Sequence, residues 1–193
     1  MELHSGINWK TNHDHRGVLT VSLNIHDHSV NTFNREVMEE LRELIDSLEP
    51  LCKSTDHDTT TTERVIEAIV FKSGKPSGFI AGADIKDFEK NRQDSCSGRI
   101  YSDAFDGALD AIENMPVPTI SKINGICVGG GCELSMATDI RIASGKSKFG
   151  IPVAKLGILV GYREMKRLIN LAGSGNASYT VSYTHLRAHE TLR

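Results

Sequence analysis

The sequence lacks the features that mark several large classes of protein. No apolar run approaches the length of a membrane-spanning helix, and the first ten residues contain no apolar stretch typical of a secretory leader. Aromatic residues make up only 6% of the chain, the formal net charge is −3, and there is no basic stripe with interleaved aromatics. We therefore expect neither export nor membrane insertion, and we expect no nucleic-acid partner.

Cysteine is scarce, and its spacing excludes the common zinc motifs. The four cysteines, Cys52, Cys96, Cys127 and Cys132, lack paired C-x-x-C spacing and fit a reducing, cytoplasmic compartment. Two His-Asp-His triplets, at 13–15 and 26–28, resemble metal-ligand clusters. Adjacent side chains at the edge of a strand point apart, so we expect no metal site at either triplet.

The apolar residues that are present follow the periodicities of an α/β protein. They make up 39% of 193 residues and charged residues 24%, which is the composition of one globular domain. The alternation of strand and helix patterns indicates a single core with parallel strands. The predicted strands are Val18–Ile25, Val65–Phe71, Thr119–Asn124 and Ile140–Ala143. The predicted helices are Asn34–Leu48, closed by Pro50; a helix capped by Asp84; one through Ile100–Ile112; and Cys132–Ala137, after a turn over Gly125–Gly131.

Two glycine-rich segments, Ser77–Asp84 and Asn124–Glu133, each lead from a predicted strand into a predicted helix. Glycine lets the backbone approach a ligand closely, and the free N–H groups at the start of a helix favour negative charge. Two such N–H groups that converge form an oxyanion hole. Neither segment ends in Lys-Ser/Thr or spells G-x-G-x-x-G, which disfavours a phosphate cradle and leaves glycine-rich packing as the alternative.

Glu133 is the candidate acid/base group of this region. It lies in the first turn of the helix that follows the triple glycine. The helix N-terminus stabilises the carboxylate, whereas burial favours its protonated form. Together the two effects allow Glu133 to act as a general base near neutral pH. The alternative is an ordinary first-turn glutamate that stabilises the helix dipole.

The segments Phe79–Phe88 (FIAGADIKDF), Lys122–Ser144 (KINGICVGGGCELSMATDIRIAS) and Lys148–Ile158 (KFGIPVAKLGI) closely resemble the crotonase superfamily of enoyl-CoA hydratases and isomerases. The likeness runs from about Gly17 to about Tyr179. It implies an α/β spiral of repeated ββα units, acyl-CoA thioester substrates, and a trimer or a dimer of trimers. Coenzyme A enters as part of the substrate, so no separate cofactor is expected.

The resemblance also implies which residues form the site. It places the oxyanion-hole donors on the backbone N–H groups of Ala83 and Gly130, and the catalytic carboxylate on Glu133. His28 could approach the phosphates of coenzyme A, and Tyr101 and Phe105 could line the acyl pocket, although core packing is favoured for Phe105. The substrate-binding residues that it implies are Ser29, Ala81, Ala83, Asp84, Ile85, Gly129, Gly130, Glu133, Pro152 and Val153.

The sequence departs from the family at the position of a second carboxylate. Two-carboxylate hydratases carry a glutamate directly after the proline of F-G-x-P, but Val153 follows Pro152 here. The usual G-x-x-G-G-T-Q-R-L stretch is replaced by Gly161–Leu168 (GYREMKRL). Glu164 could be proposed as a substitute, but it lies well past the motif position, and we expect it to face solvent beside Arg163 and Lys166.

The last thirteen residues do not continue the resemblance. We expect an incomplete acyl-CoA-binding core over residues 1–180, and a tail over 181–193 that resembles a translated sequencing adapter. The C-terminal helices that complete the family's fold and trimer would then be missing. Because few of its residues are apolar, we expect the tail to be poorly ordered or loosely helical.

The leading functional hypothesis is a trans-2-enoyl-CoA hydratase in which a single glutamate activates water. An enoyl-CoA isomerase or an acyl-CoA decarboxylase with the same oxyanion hole is the alternative within the enzyme class. Val153 weakens the isomerase, which depends on the second glutamate, but not the decarboxylase. A non-catalytic acyl-CoA-binding or scaffold protein is the alternative from another class.

Overall fold

The fold is described from a computed structural model that covers residues 6–52, 65–92, 95–157, 159–183 and 186–187. The predicted polar loop over 53–62 and most of the predicted tail lie outside these residues. Strands and helices alternate along the chain. The strands are β1 (Trp9–His13), β2 (Val18–Leu23), β3 (Ala68–Ser73), β4 (Gly78–Ile80), β5 (Thr119–Ile123), β6 (Ile126–Val128), β7 (Ile140–Ala143), β8 (Lys148–Gly150) and β9 (Leu186–Arg187). The helices are α1 (Arg35–Cys52), α2 (Ile85–Arg92), α3 (Ser95–Glu113), α4 (Gly130–Ala137) and α5 (Tyr162–Tyr183), with a 3₁₀ helix at Pro152–Leu156.

The strands form two sheets. In each of the consecutive pairs β3–β4, β5–β6 and β7–β8, the first strand belongs to the larger sheet and the second to the smaller sheet. The larger sheet has the order β1-β2-β3-β5-β7, and the smaller has the order β4-β6-β8-β9. All neighbours are parallel except at β1–β2 and β8–β9. Each of the pairs β3–β4, β5–β6 and β7–β8 is followed by helices, which is the repeated ββα arrangement that the resemblance implies.

The core lies between the larger sheet and the long helices α1 and α3. Strand residues Leu19, Val21 and Ile69 are buried there. From α1, Leu41, Leu44 and Ile45 pack against the same core, and α3 contributes Ala108, Leu109 and Ile112. Apolar residues three and four apart form one face of each helix, so the periodicity that predicts the helices also defines their buried side.

The structure corrects three sequence predictions. Helix α1 continues through Pro50 to Cys52, because the proline lies in the last turn and the buried Cys52 still packs on the core. The predicted turn over Gly125–Gly131 contains β6, whose three residues are too short for an alternation signal. Within the predicted tail, residues 181–183 extend α5, and β9 pairs with β8 rather than remaining loose.

Candidate active site

The predicted site residues gather where three parallel strands end. Strands β4, β6 and β8 are neighbours in the smaller sheet, so their carboxyl ends lie at one edge. The segments that follow these strands are Ala81–Asp84, Gly129–Glu133 and Ile151–Val153. The Gly129 N–H donates a hydrogen bond to the Gly150 carbonyl (2.8 Å), which ties the second segment to the end of β8. All predicted site residues except Ser29 lie between Ala81 and Val153. Eight of these nine fall in the three segments, and the ninth, Ile85, directly follows the first segment.

The first two segments touch backbone to backbone at Gly82 and Gly129. A Cβ on Gly82 would lie 3.3 Å from the Val128 carbonyl oxygen and 3.8 Å from the Gly129 Cα, and a Cβ on Gly129 would lie 3.3 Å from the Gly82 Cα. Both residues have positive φ, 92° and 52°, which glycine adopts without strain. Ala83 and Gly130 directly follow the two glycines that make this contact.

The N–H groups of Ala83 and Gly130 are the predicted oxyanion donors. Within the described part of the chain, neither takes part in the backbone hydrogen bonds that hold these loops. The loop around Ala83 is fixed on both sides by Phe33, whose N–H donates to the Gly82 carbonyl (2.8 Å) and whose carbonyl accepts from the Asp84 N–H (2.7 Å). Two fixed, adjacent donors can hold a negatively charged oxygen.

Aromatic side chains fill the space beside Gly130. A Cβ at this position would come within 2.8 Å of Phe33 Cδ2 and within 3.1 Å of Phe105 Cε2. The two rings meet edge to face with centroids 5.8 Å apart. The Tyr101 hydroxyl donates to the Phe33 carbonyl (3.2 Å), so both predicted pocket aromatics lie near the glycine, and Phe105 also packs against the core.

Glu133 lies in the first turn of α4, where its N–H donates to the Gly129 carbonyl (3.0 Å). Its side chain is enclosed by protein but retains a partly accessible surface. The pKa of Glu133 is raised to about 8, mainly by burial and also by the carboxyl groups of Glu164 and Asp106, whereas Arg167 acts to lower it. The effect of burial on the pKa of Glu133 is therefore larger than the opposite effect of the helix N-terminus. The carboxyl group is suited both to accept and to return a proton near neutral pH.

Glu164 is not exposed, which overturns the sequence prediction. Its residue surface is only 7% accessible, and its Oε1 lies 3.7 Å from Arg167 Nη1. Arg167 in turn binds Asp110 (2.9 Å) and Glu113 (2.7 Å) of α3, and Arg163 also binds Asp110. These ion pairs hold α5 against α3 and turn Glu164 inward.

The remaining predicted residues lie at the rim of the site. The Asp84 side chain caps α2 by accepting from the N–H groups of Lys86 (2.9 Å) and Asp87 (3.3 Å), as predicted. Ile85 begins α2 and is 57% exposed, so its apolar side chain is available to a ligand. Ser29 lies on an exposed loop, and its carbonyl accepts from the Ser77 hydroxyl (2.6 Å) just before β4.

Pro152 and Val153 begin the 3₁₀ helix after β8, and both are partly buried. They lie at the shared strand edge, and the resemblance alone assigns them to substrate binding. Among the described residues no group of three or more His, Cys, Asp or Glu side chains could hold a metal ion. No helix in the described ranges is long and apolar enough to cross a membrane.

Sequence reasoning did not identify Phe33, Asp106 or Arg167. Phe33 gave no signal, because its part in holding the loop uses backbone groups. The acidic residues Asp106, Asp110 and Glu113 do share a face of α3 at helical spacing, and Glu164 and Arg167 share a face of α5. This complementary charge pattern could have indicated the contact between the two helices.

The architecture defines the class of protein: an α/β protein of repeated ββα units with two sheets. The family described as enoyl-CoA hydratase/isomerase matches residues 13–193. The chain therefore belongs to the enoyl-CoA hydratase/isomerase family, also called the crotonase family. The match includes the residues of the predicted tail.

Solved structures share the fold. An enoyl-CoA hydratase/carnithine racemase from Magnetospirillum magneticum superposes with a TM-score of 0.83 at 27% identity, covering 97% of this chain and 65% of that one. An enoyl-CoA hydratase from Bacillus anthracis gives a TM-score of 0.79 at 26% identity, covering 95% of this chain and 66% of that one.

Curated relatives include the fatty acid oxidation complex subunit alpha of Idiomarina loihiensis, which is 33% identical over 184 residues. The corresponding subunit of Pseudomonas entomophila is 35% identical over 187 residues. Each alignment covers 92% of this chain, but the chain spans only about a quarter of the length of these relatives, 24% and 23%.

Proposed function

We propose that this protein is an enoyl-CoA hydratase that adds water across the double bond of a trans-2-enoyl-CoA thioester. The observation that supports the proposal is the contact between Gly82 and Gly129, because the predicted donors Ala83 and Gly130 directly follow these glycines. Glu133 lies in the first turn of the helix that begins at Gly130. A thioester carbonyl bound by these donors gains negative charge when a nucleophile adds at C3, and the donors stabilise that charge.

Glu133 supplies the acid/base chemistry of the proposed reaction. Its carboxylate takes a proton from water while the water oxygen bonds to C3, and the resulting enolate oxygen is held by Ala83 and Gly130. The carboxyl group then returns a proton to C2 as the thioester carbonyl re-forms. One O–H bond of water and the C2=C3 π bond are thus replaced by C3–O and C2–H bonds, and the carboxylate is regenerated. A pKa of about 8 favours this double use, because the group binds and releases a proton near neutral pH.

Substrate choice separates this reaction from the alternatives within the family. Crotonyl-CoA, a 3-enoyl-CoA and methylmalonyl-CoA are offered to the protein, and the products are followed by chromatography. We expect 3-hydroxybutyryl-CoA from crotonyl-CoA. The apolar Val153 keeps decarboxylation as the second candidate. Propionyl-CoA from methylmalonyl-CoA, or a 2-enoyl-CoA from the 3-enoyl-CoA, without hydration of crotonyl-CoA would replace our proposal. Binding of all three without turnover would indicate an acyl-CoA-binding or scaffold protein.

Replacing Glu133 tests its proposed role directly. Glu133→Gln should lower turnover of crotonyl-CoA by about 10²–10⁴, the scale of a general acid/base group, and leave coenzyme A ligand binding nearly unchanged. Steady-state rates and calorimetric binding measure the two effects. Near-normal rates in the variant would remove Glu133 from the mechanism.

A further inference from the structure

The segment Asn31–Phe33 precedes α1 and runs alongside the loop that follows β4. The Asn31 carbonyl accepts a hydrogen bond from the Ala81 N–H (2.8 Å). Phe33 donates its N–H to the Gly82 carbonyl (2.8 Å) and accepts from the Asp84 N–H (2.7 Å). Three backbone hydrogen bonds therefore hold the loop, although the family resemblance assigns none of residues 31–33 to the site.

The same segment is anchored in the core of the larger sheet. The buried Asn31 side chain donates to the Leu23 carbonyl (2.8 Å) and to the Ser73 hydroxyl (2.9 Å), at the ends of β2 and β3. Phe33 is fully buried, and its ring stacks on Trp9 with the centroids 6.4 Å apart. The segment thus ties a loop of the smaller sheet to the core of the larger one.

The hydrogen bond from Phe33 determines the direction of the Ala83 N–H. The Gly82 carbonyl and the Ala83 N–H belong to one peptide unit, and in a trans peptide these two groups point in opposite directions. No peptide bond among the described residues is cis. Because the Gly82 carbonyl points at Phe33, the Ala83 N–H points away from it.

Helix α4 begins on the side of the loop that faces away from the Asn31–Phe33 segment. Since the Ala81 N–H donates to Asn31, the Ile80 carbonyl of the same peptide points away from that segment. A Cβ on Gly131, in the first turn of α4, would clash with this carbonyl oxygen. The Ala83 N–H is therefore directed to the side on which α4 starts.

The Gly130 N–H is oriented by the same geometry. Its peptide partner, the Gly129 carbonyl, accepts from the Glu133 N–H within α4 (3.0 Å), so the Gly130 N–H points out of the start of the helix. The Phe33 ring restricts this position, because a Cβ on Gly130 would come within 2.8 Å of Phe33 Cδ2. Phe33 thus holds one glycine segment with its backbone and packs against the other with its ring.

We propose that Phe33 is a positioning residue of the site: its N–H directs the Ala83 N–H, and its ring sets the distance from that donor to the Gly130 N–H. The Tyr101 hydroxyl supports Phe33 from α3 by donating to its carbonyl (3.2 Å). Donors stabilise an oxyanion best when they are fixed before the reaction, so a residue that contacts both segments controls this stabilisation. The inference rests on the proposed function.

The first test measures polarisation of a bound thioester without turnover. Butyryl-CoA has no double bond to hydrate, and hydrogen bonds to its ¹³C-labelled carbonyl lower the stretching frequency seen by isotope-edited infrared spectroscopy. Replacing Phe33 by phenyllactic acid exchanges the N–H for an ester oxygen and keeps the ring. The decrease in frequency on binding should shrink by about half, because one of two donors loses its orientation.

Phenyllactic acid at Phe71 is the matched control. Phe71 is a buried residue of β3, which pairs with β2 and β5, so the same exchange removes a backbone donor outside the site. This variant should keep the native frequency. An unchanged frequency in the Phe33 variant, an equal change in both variants, or no decrease when the native protein binds butyryl-CoA would overturn the positioning role.

Tyr101→Phe is a second variant that leaves the backbone intact. Loss of the hydroxyl should lower kcat for crotonyl-CoA by roughly three- to tenfold with little change in KM, because the donors act mainly on the transition state. Tyr162→Phe, at an 81% exposed tyrosine, should change neither constant. Equal effects in the two variants, or a change confined to KM, would contradict the role.

The two readouts separate this inference from the proposed function. If crotonyl-CoA is not hydrated but the infrared frequencies change as expected, the hydratase function fails and the positioning role of Phe33 stands. If crotonyl-CoA is hydrated and the frequency is the same with and without the Phe33 N–H, the positioning role fails alone.

Discussion

Glu133 shows how single residues set the chemistry of this site. A carboxyl group in the first turn of a helix would ordinarily be stabilised as an anion. Here the pKa is raised to about 8 by burial first and by Glu164 and Asp106 second, against the opposing effect of Arg167. The sequence identifies Glu133 and its helix position. It cannot give the net shift of the Glu133 pKa, because the carboxyl groups of Asp106 and Glu164 lie on helices, 27 and 31 residues away along the chain.

This pKa has a consequence for stability. The folded protein holds a proton on Glu133 that the unfolded chain, with a pKa of about 4.5, releases. The contribution of this group is therefore fully present below pH 4.5 and is lost as the pH rises to about 8. Glu133→Gln should stabilise the protein more at pH 8 than at pH 5. Urea unfolding at the two pH values measures this, and an equal effect at both would contradict the raised pKa.

Gly130 offers a second prediction at the residue scale. Gly130→Val should lower turnover by about 10²–10³, the cost of losing one oxyanion donor, because the new side chain meets Phe33 and Phe105 and displaces the N–H. Steady-state rates with crotonyl-CoA measure the loss. Gly145→Ala is the control, since a Cβ there meets nothing within 4 Å. Full activity in Gly130→Val would rule out the proposed hole.

At the scale of elements, the long segments were predictable and the short ones were not. Helices α1 and α3 and strand β2 carry enough turns or alternations for periodicity to identify them. Strands β4, β6 and β8 have three residues each, too few for a pattern, yet their shared edge assembles the site. Family resemblance, rather than periodicity, therefore supplied the positions of Ala83 and Gly130.

The junction between β8 and the 3₁₀ helix carries the next prediction. Val153→Glu places a carboxylate where two-carboxylate relatives have one, and its position next to Pro152 at the shared strand edge brings it to the proposed acyl site. We expect a changed ratio of hydration to double-bond isomerisation, with hydration retained. Product analysis with crotonyl-CoA and a 3-enoyl-CoA measures the ratio. An unchanged ratio would show that residue 153 does not face the C2–C3 bond.

At the scale of the whole molecule, apolar surface remains at the edge of the larger sheet. Ile140 and Ile142 of the edge strand β7 are 48% and 59% exposed. Exposed apolar side chains on an unpaired edge favour association with another chain. This surface supports the proposal that the protein assembles into a homotrimer or hexamer, whose mass light scattering would determine.

The C-terminal residues bear on the stability of the whole molecule. Of the residues that the structure describes beyond α5, the two-residue β9 makes the one strand pairing, with β8. Deleting residues 184–193 should therefore change the free energy of unfolding by no more than about 1 kcal/mol, the scale of one or two exposed hydrogen bonds. Deleting residues 174–193 is the matched comparison. It should cause a larger loss, because Ala177 and Thr180 are buried at 1% and 2% exposure. Urea unfolding of both variants decides the question, and equal losses would show that the last ten residues are an integral part of the fold.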